Sequence, residues 1–146
     1  MSVSELGLAY SLSEFISSNA SIPAHIKYDG MSLPKDKPFA LVETRPSSNE
    51  QLSKQRETIN ITYRFQIGIF ANSSYELSGY REILNELFLF EEIPYYDEEG
   101  TKTDKYFSIE SDFRIVPIFS DDISKETTKH RFYIDAEVKV NAHKNR

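Results

Sequence analysis

One stretch, residues 58–70, constrains the fold more than any other part of the chain. It reads Thr-Ile-Asn-Ile-Thr-Tyr-Arg-Phe-Gln-Ile-Gly-Ile-Phe. Its odd-numbered positions are all apolar, and its even-numbered positions up to 68 are polar or glycine. Such a period of two predicts a β-strand with one face in a core. At ~3.3 Å per residue the stretch spans about 43 Å, which leaves room for one end to project beyond a sheet. The predicted core positions are Ile59, Ile61, Tyr63, Phe65, Ile67 and Ile69.

Composition limits the classes of partner. The chain has 146 residues, a net charge of −6 and a pI near 5.1, and it contains no cysteine. One domain accounts for this length. The acidic balance opposes non-specific binding to nucleic acid or membranes, so we expect no direct nucleic-acid readout and no membrane partner. Without cysteine there are no disulfides and no thiol chemistry. The N-terminal residues have no basic region and no apolar run, so we expect no signal peptide.

The remaining periodicities predict two helices and four further strands. The helices are expected at 4–17 and from about 73 to 90, the second opened by a Ser73–Glu76 capping box. The further strands are expected at 24–29, 39–43, 105–115 and 130–141.

The resulting order, α-β-β-β-α-β-β, predicts the α+β class. We expect one domain over residues 1–146, a two-layer sandwich in which two helices cover a mostly antiparallel sheet of about five strands. Two polar stretches, at about 45–57 and 95–105, are predicted to be mobile loops.

The sequence offers little chemistry. His25, His130 and His143 follow no metal-ligand spacing. The acidic clusters at 97–99 and 121–122 lack the alternation of a calcium loop, and the phosphate-binding glycine motifs are absent. Two carboxylates that meet in space would still allow glycoside hydrolysis, although no spacing favours it. We therefore predict no catalytic residue, no metal and no cofactor, and thus no enzyme.

Several short segments, taken in order along the chain, carry a family resemblance. They are Lys37-Pro38-Phe39-Ala40-Leu41-Val42, the strand end and turn at 67–74, Ile93-Pro94-Tyr95-Tyr96-Asp97, and the final strand end at 135–140. In order and spacing, over most of its length, the chain resembles the tail terminator proteins of long-tailed bacteriophages. These are also called tail completion or tail-to-head joining proteins.

The resemblance implies a virion structural protein rather than an enzyme. Such proteins assemble in the bacterial host cytoplasm and act at the head–tail junction. They form a homo-oligomeric ring, here expected to be a hexamer, that caps the tail tube and joins it to the head connector. The implied partners are therefore a second copy of the chain, the tail tube protein and the connector or neck protein.

The two predicted loops are the expected contact regions. Tyr95 and Tyr96 fit local packing as well as an interface, and that choice stays open at the sequence level. The candidate interface residues are Ser47, Ser48, Asn49, Glu50, Gln51, Lys54, Arg56, Tyr95, Tyr96, Glu98, Glu99 and Lys102.

Two further interpretations remain. One is a head-completion or neck protein that contacts the portal. The other is a monomeric binding module that offers the free edge of its sheet to a partner strand.

Overall fold

The structure is a computed structural model that describes residues 3–52, 58–117 and 130–143. The elements are α1 (Glu5–Ala20), β1 (Ala24–Ile26), β2 (Phe39–Gln51), β3 (Thr58–Ala71), α2 (Ser74–Phe90), β4 (Ile93–Tyr96), β5 (Lys102–Phe107), β6 (Arg114–Pro117) and β7 (His130–His143).

The main sheet has five strands in the order β1-β2-β3-β7-β6. Among the described strands of this sheet, only β1 and β2 run parallel, and the other neighbouring pairs are antiparallel. Both helices contribute buried apolar side chains to the core on one face of this sheet. The predicted α+β class, with a mostly antiparallel sheet and two covering helices, is confirmed. A small second sheet formed by β4 and β5 adds to it.

Strand β3 lies at the centre of the sheet, and its buried face is the one that its alternation predicts. Phe65, Ile67 and Ile69 are buried, opposite Ala136, Ile134 and Phe132 of β7. Side chains at 59, 61 and 63 lie on the same face but are only half-buried. The strand therefore leaves the core at its N-terminal end.

Side-chain caps start both helices. Ser4 Oγ accepts a hydrogen bond from the Gly7 N–H at 3.0 Å, and Ser73 Oγ accepts one from the Glu76 N–H at 3.1 Å. The Glu76 carboxylate accepts from the N–H of Asn72, one residue before the cap. The two bonds to the serine hydroxyls satisfy donors that the first helical turn leaves unpaired.

The opposite face of the sheet carries a smaller core. Phe39, Leu41 and Phe70 are buried there, and Met31 and Tyr133 pack against them. Residues 39–42 are consequently buried on both faces, as their continuous apolar run predicts.

The prediction of a loop at 45–57 is wrong for residues 45–51. They continue β2 and pair with β3 out to Gln51 opposite Ile59, with a register shift between Arg45 and Ser48. The side chains here are exposed, so backbone pairing with β3, not burial, makes this segment a strand. The bulge accommodates Pro46, which has no N–H to donate. Residues 53–57 lie outside the described residues.

The expectation of a loop at 95–105 followed by one strand at 105–115 is also wrong. Residues 93–96 and 102–107 form the β4–β5 hairpin, and only 97–101 turn. A second turn then separates β5 from β6, in which the Phe113 N–H donates to the Glu110 carbonyl. The apolar alternation continues across this turn, which hides the break between the two strands.

Candidate assembly surfaces

Three strands extend together beyond the rest of the sheet. We call residues 44–51, 58–64 and 137–143 the arm. Within the described residues, β1 pairs with β2 only at positions 40–42, and β6 pairs with β7 only at positions 132–135. No described strand therefore lies on the outer side of either outer strand of the arm. At the base of the arm, the outer edge of β7 accepts one hydrogen bond, from the Glu110 N–H to the Glu137 carbonyl. A strand edge without a neighbouring strand is a template for pairing with another chain.

The two faces of the arm differ in polarity. On the helix side lie Ile59, Ile61 and Tyr63, with Val140 and Ala142 across the β3–β7 ladder. Tyr63 and Val140 pack against the main core, whereas Ile59 and Ile61 lie further toward the tip. The opposite face carries polar and charged side chains, among them Asn60, Thr62 and Lys139.

The base of the arm is fixed by Arg64. Its Nε lies 2.9 Å from Glu137 Oε2 on β7. Its Nη1 donates to Ser48 Oγ at 3.1 Å and to the Pro46 carbonyl at 3.4 Å, both on β2. On the other face of the base, burial and then the Glu5 carboxylate raise the pKa of the Tyr63 hydroxyl.

Five of the predicted interface residues lie on the arm. Their side chains are exposed on the outer strand β2, so they are positioned for contact, and their interface role stays a prediction. They are Ser47, Ser48, Asn49, Glu50 and Gln51. The other two from the same predicted loop, Lys54 and Arg56, lie outside the described residues.

The prediction that Tyr95 is an interface residue is wrong. Its side chain is 2% exposed, and its hydroxyl accepts a hydrogen bond from the Ser4 N–H at 3.0 Å. The half-buried Tyr96 packs edge-on against Tyr10. Its N–H donates to the buried hydroxyl of Ser11 at 2.7 Å. Both tyrosines therefore attach the β4–β5 hairpin to α1.

The last three predicted residues lie on that hairpin, apart from the arm strands in sequence and in sheet. Glu98 and Glu99 are exposed in a turn in which Asp97 Oδ1 accepts from the N–H groups of Glu99 and Thr101. Lys102 is exposed at the start of β5. The structure thus separates the predicted interface set into two regions.

Sequence reasoning missed an apolar strip on the outer side of α2. Tyr75 is 91% exposed and Phe90 is 78% exposed, while Ile83 and Leu89 are each about 40% exposed. At 3.6 residues per turn, Phe90 and Ile83 point about 60° and 80° to one side of Tyr75 and Leu89 about 40° to the other, and the exposed Glu82 and Glu86 lie between them. We call the four apolar residues the α2 strip. The sequence does carry a signal for them, because these four apolar residues lie outside the apolar stripe that the helix buries.

Gly79 lies on the same outer side, and an added Cβ there would meet nothing within 4 Å. The surface of α2 around the strip is therefore open. An exposed apolar patch of this kind often marks a protein contact site.

The polar face of the sheet holds a groove of about 590 Å³. The three arginines in its lining each lie near a carboxylate: Arg64 near Glu137, Arg114 near Asp135 and Arg45 near Glu43. Its charges are balanced, as on a solvated surface.

Over the described ranges, no three His, Asp or Glu side chains come together as metal ligands. No described helix is long and apolar enough to span a membrane.

Comparisons with protein-family models and with curated proteins find no match for this chain. The resemblance to tail terminator proteins therefore rests on the residue order given above, and it stays a prediction.

Proposed function

We propose that the protein is a non-enzymatic phage structural protein. It forms a ring that caps the tail tube and joins it to the head connector. The observation that supports this function best is the arm, whose outer strands have no described strand beside them.

The arm has the properties that an assembly element needs. It is built of backbone-paired strands, and Arg64 holds its base together from both sides. It therefore presents its faces and edges without first having to fold, which lowers the entropic cost of association. The side chains of β2 from Ser47 to Gln51 are exposed and polar, with only one carboxylate among them, so they leave room for a partner.

A second set of contacts fits a joining role. The hairpin turn at 97–101 and the α2 strip lie outside the arm, so one copy has several separate surfaces to share between neighbours, tube and connector. A ring made of head-to-tail contacts uses two different surfaces of each copy, and a joining protein needs at least one more.

Mass and shape in solution test the proposal. Light scattering across a concentration series, with negative-stain imaging of the same samples, is done on the chain alone and with tail tubes of the phage that encodes it. Closed rings, or density added at one tube end, are the expected result. A chain that stays monomeric at every concentration and ignores tube ends contradicts the proposal.

The outer edge of β2 beyond its pairing with β1, beside which the described residues place no strand, favours one other function, that of a monomeric sheet-edge binding module. A stable complex with an extended peptide, formed by a chain that never self-associates, would distinguish it. The same binding assay with purified portal tests the neck-protein alternative.

A further inference from the structure

We propose that a small cavity on the face of the sheet opposite the helices binds a carboxylate with a short aliphatic stem, through the guanidinium of Arg131. The cavity shares no lining residue with the arm or with the α2 strip. The inference therefore does not rest on the proposed ring, and its failure would leave that function as it is.

The cavity lies where three strands meet at a glycine. Gly68 of β3 pairs with Leu41 of β2 on one side and with Tyr133 of β7 on the other. An added Cβ at Gly68 would lie 2.9 Å from the Tyr133 ring and 3.1 Å from the Phe70 ring, so both rings close over a position without a side chain. These residues line a space of about 140 Å³. It has room for about four water molecules at ~30 Å³ each, which suits a carboxylate with a short stem.

Arg131 supplies the hydrogen-bond donor of the site. Its register opposite Phe70 places it on this face of the sheet, and it lines the cavity. Its Nε is buried and has no hydrogen-bond partner among the described residues. A buried donor of a charged group without an acceptor is unfavourable, and a carboxylate relieves it by accepting two parallel bonds from a guanidinium.

The charges around the cavity also favour an anion. Lys27 and Arg131 are the cations of the lining, and among the described lining residues Glu43 is the one with a carboxylate. That carboxylate is already paired with Lys27 Nζ and with Arg45 Nη1, each at 3.5 Å. Arg131 therefore carries the charge that the lining leaves unbalanced.

The apolar part of the lining suits an uncharged stem. Leu41 and Phe70 are buried in the smaller core, whereas Leu33 is 43% exposed and lies at the mouth of the cavity. Because Nε of Arg131 is enclosed, a ligand reaches it only when a lining side chain changes rotamer, a common adjustment on binding. Leu33 and the half-buried Tyr133 are among the lining side chains exposed enough to do so.

Calorimetric titration with butyrate tests the site. Butyrate replaces chloride at constant ionic strength, and butyramide, which has a similar shape without the charge, is the matched ligand control. Arg131→Gln removes the guanidinium, and Arg131→Lys keeps the charge but loses the planar fork. Arg114→Gln is the matched protein control, because this arginine is 78% exposed and does not line the cavity. Circular dichroism melts establish that each variant is folded.

We expect butyrate to bind wild type at one site per chain, with a dissociation constant on the order of 1 mM. Arg131→Gln should weaken binding at least about tenfold, because it removes charge-assisted hydrogen bonds. Arg131→Lys should fall between the two, and Arg114→Gln should bind like wild type. Butyramide should not bind.

Two blocked tripeptides distinguish the sources of the carboxylate. Acetyl-Ala-Glu-Ala-amide carries it on a protein side chain, and the same peptide with Gln lacks the charge. Tighter binding of the Glu peptide than of butyrate would make the ligand an acidic side chain of a partner. Tighter binding of butyrate would make it a free carboxylate, and either result supports the site.

Equal heats of binding for butyrate and butyramide, or for wild type and Arg131→Gln, overturn the proposal. Absence of saturable binding of both butyrate and the Glu peptide does the same. Should Arg131→Gln fail to fold, Arg131→Lys carries the comparison, and binding as tight as in wild type then overturns the role of the guanidinium.

Discussion

Arg64 of β3 and Glu137 of β7 form an ion pair, 2.9 Å from Nε to Oε2, where the arm leaves the sandwich. The same guanidinium donates to Ser48 Oγ and to the Pro46 carbonyl on β2. One side chain therefore connects the three strands of the arm at their base. The bulge at Pro46 interrupts backbone pairing between β2 and β3. The side-chain bonds from Arg64 to β2 replace part of that pairing.

Replacing Arg64 should loosen the arm more than it destabilises the whole protein. We expect Arg64→Ala to lower the free energy of unfolding by only about 0.5–1 kcal/mol, because the pair is partly exposed. Hydrogen exchange of the amides at 44–51 should accelerate. Arg114→Ala is the matched control, since its contact with Asp135 is 3.7 Å and its side chain is 78% exposed. Unchanged exchange in the Arg64 variant would contradict this role.

Removal of the Ser11 hydroxyl should lower the free energy of unfolding substantially. This hydroxyl accepts from the Tyr96 N–H at 2.7 Å and donates to the Gly7 carbonyl at 2.6 Å, fully buried. Ser11→Ala leaves that N–H without its partner, which costs about 1–3 kcal/mol of unfolding free energy. Ser13→Ala loses only a bond to the Tyr10 carbonyl within the same helix, so urea melts should show little change. Equal melts for the two variants would refute the assignment.

Two glycines in helices should respond in opposite directions to the same substitution. A Cβ at Gly7 would overlap the Tyr95 ring and lie 2.9 Å from the Tyr96 carbonyl oxygen, so Gly7→Ala should destabilise the protein by displacing the hairpin. At Gly79 a Cβ meets only solvent. Gly79→Ala should therefore raise the free energy of unfolding by up to about 1 kcal/mol, from helix propensity alone. Urea unfolding of the monomer measures the free energy of unfolding of both variants. A Gly7→Ala variant that is more stable than wild type would contradict the predicted clash.

A charge at the centre of β3 should abolish the fold. Phe65 is 1% exposed, and Phe65→Asp would place an unpaired carboxylate in the core. We expect no cooperative thermal transition by circular dichroism. Tyr75→Asp introduces the same charge at a position that is 91% exposed, and it should melt within about 0.5 kcal/mol of wild type. A cooperatively melting Phe65→Asp variant would mean that the faces of the strand are reversed.

Alkaline pH should destabilise the protein through its tyrosines. Burial first, and then Glu5, raise the pKa of Tyr63 above 10.0 in the folded chain, and burial and then Glu76 do the same for Tyr80. Below about pH 10 both states are protonated and the contribution is complete. As pH rises further the unfolded chain releases its protons first, so stability falls. Urea midpoints between about pH 9 and 11 should decline less steeply in Tyr63→Phe; an unchanged slope would contradict the shift at Tyr63.

The sequence predicted those helices and strands in which apolar residues occupy the buried face and polar residues the exposed face. The alternation from Ile59 to Ile69 located the central strand and its buried face, and the serines at 4 and 73 marked the helix starts. Residues 44–51 gave no such signal, because their side chains are exposed and only the register with β3 makes them a strand. A polar segment held by backbone pairing looks like a loop in any analysis of hydrophobic pattern.

The candidate surfaces show the same limit. Five polar residues of the predicted interface do lie on the arm, but Tyr95 is buried because Ile93 and Tyr95 alternate inward on a short strand that Pro94 concealed. The α2 strip was missed because exposure of a helical residue depends on what packs above it. That information is absent from the spacing of residues within the helix itself.

The bulge between Arg45 and Ser48 has a consequence for the shape of any assembly. It places two residues of β2, Pro46 and Ser47, opposite one residue of β3, Tyr63, and so lengthens β2 by one residue. A bulge locally increases the right-handed twist of its strand. The arm is thereby turned relative to the sandwich from which it emerges. Copies joined through the arm would each be rotated with respect to the last, so the assembly would curve rather than extend as a flat ribbon.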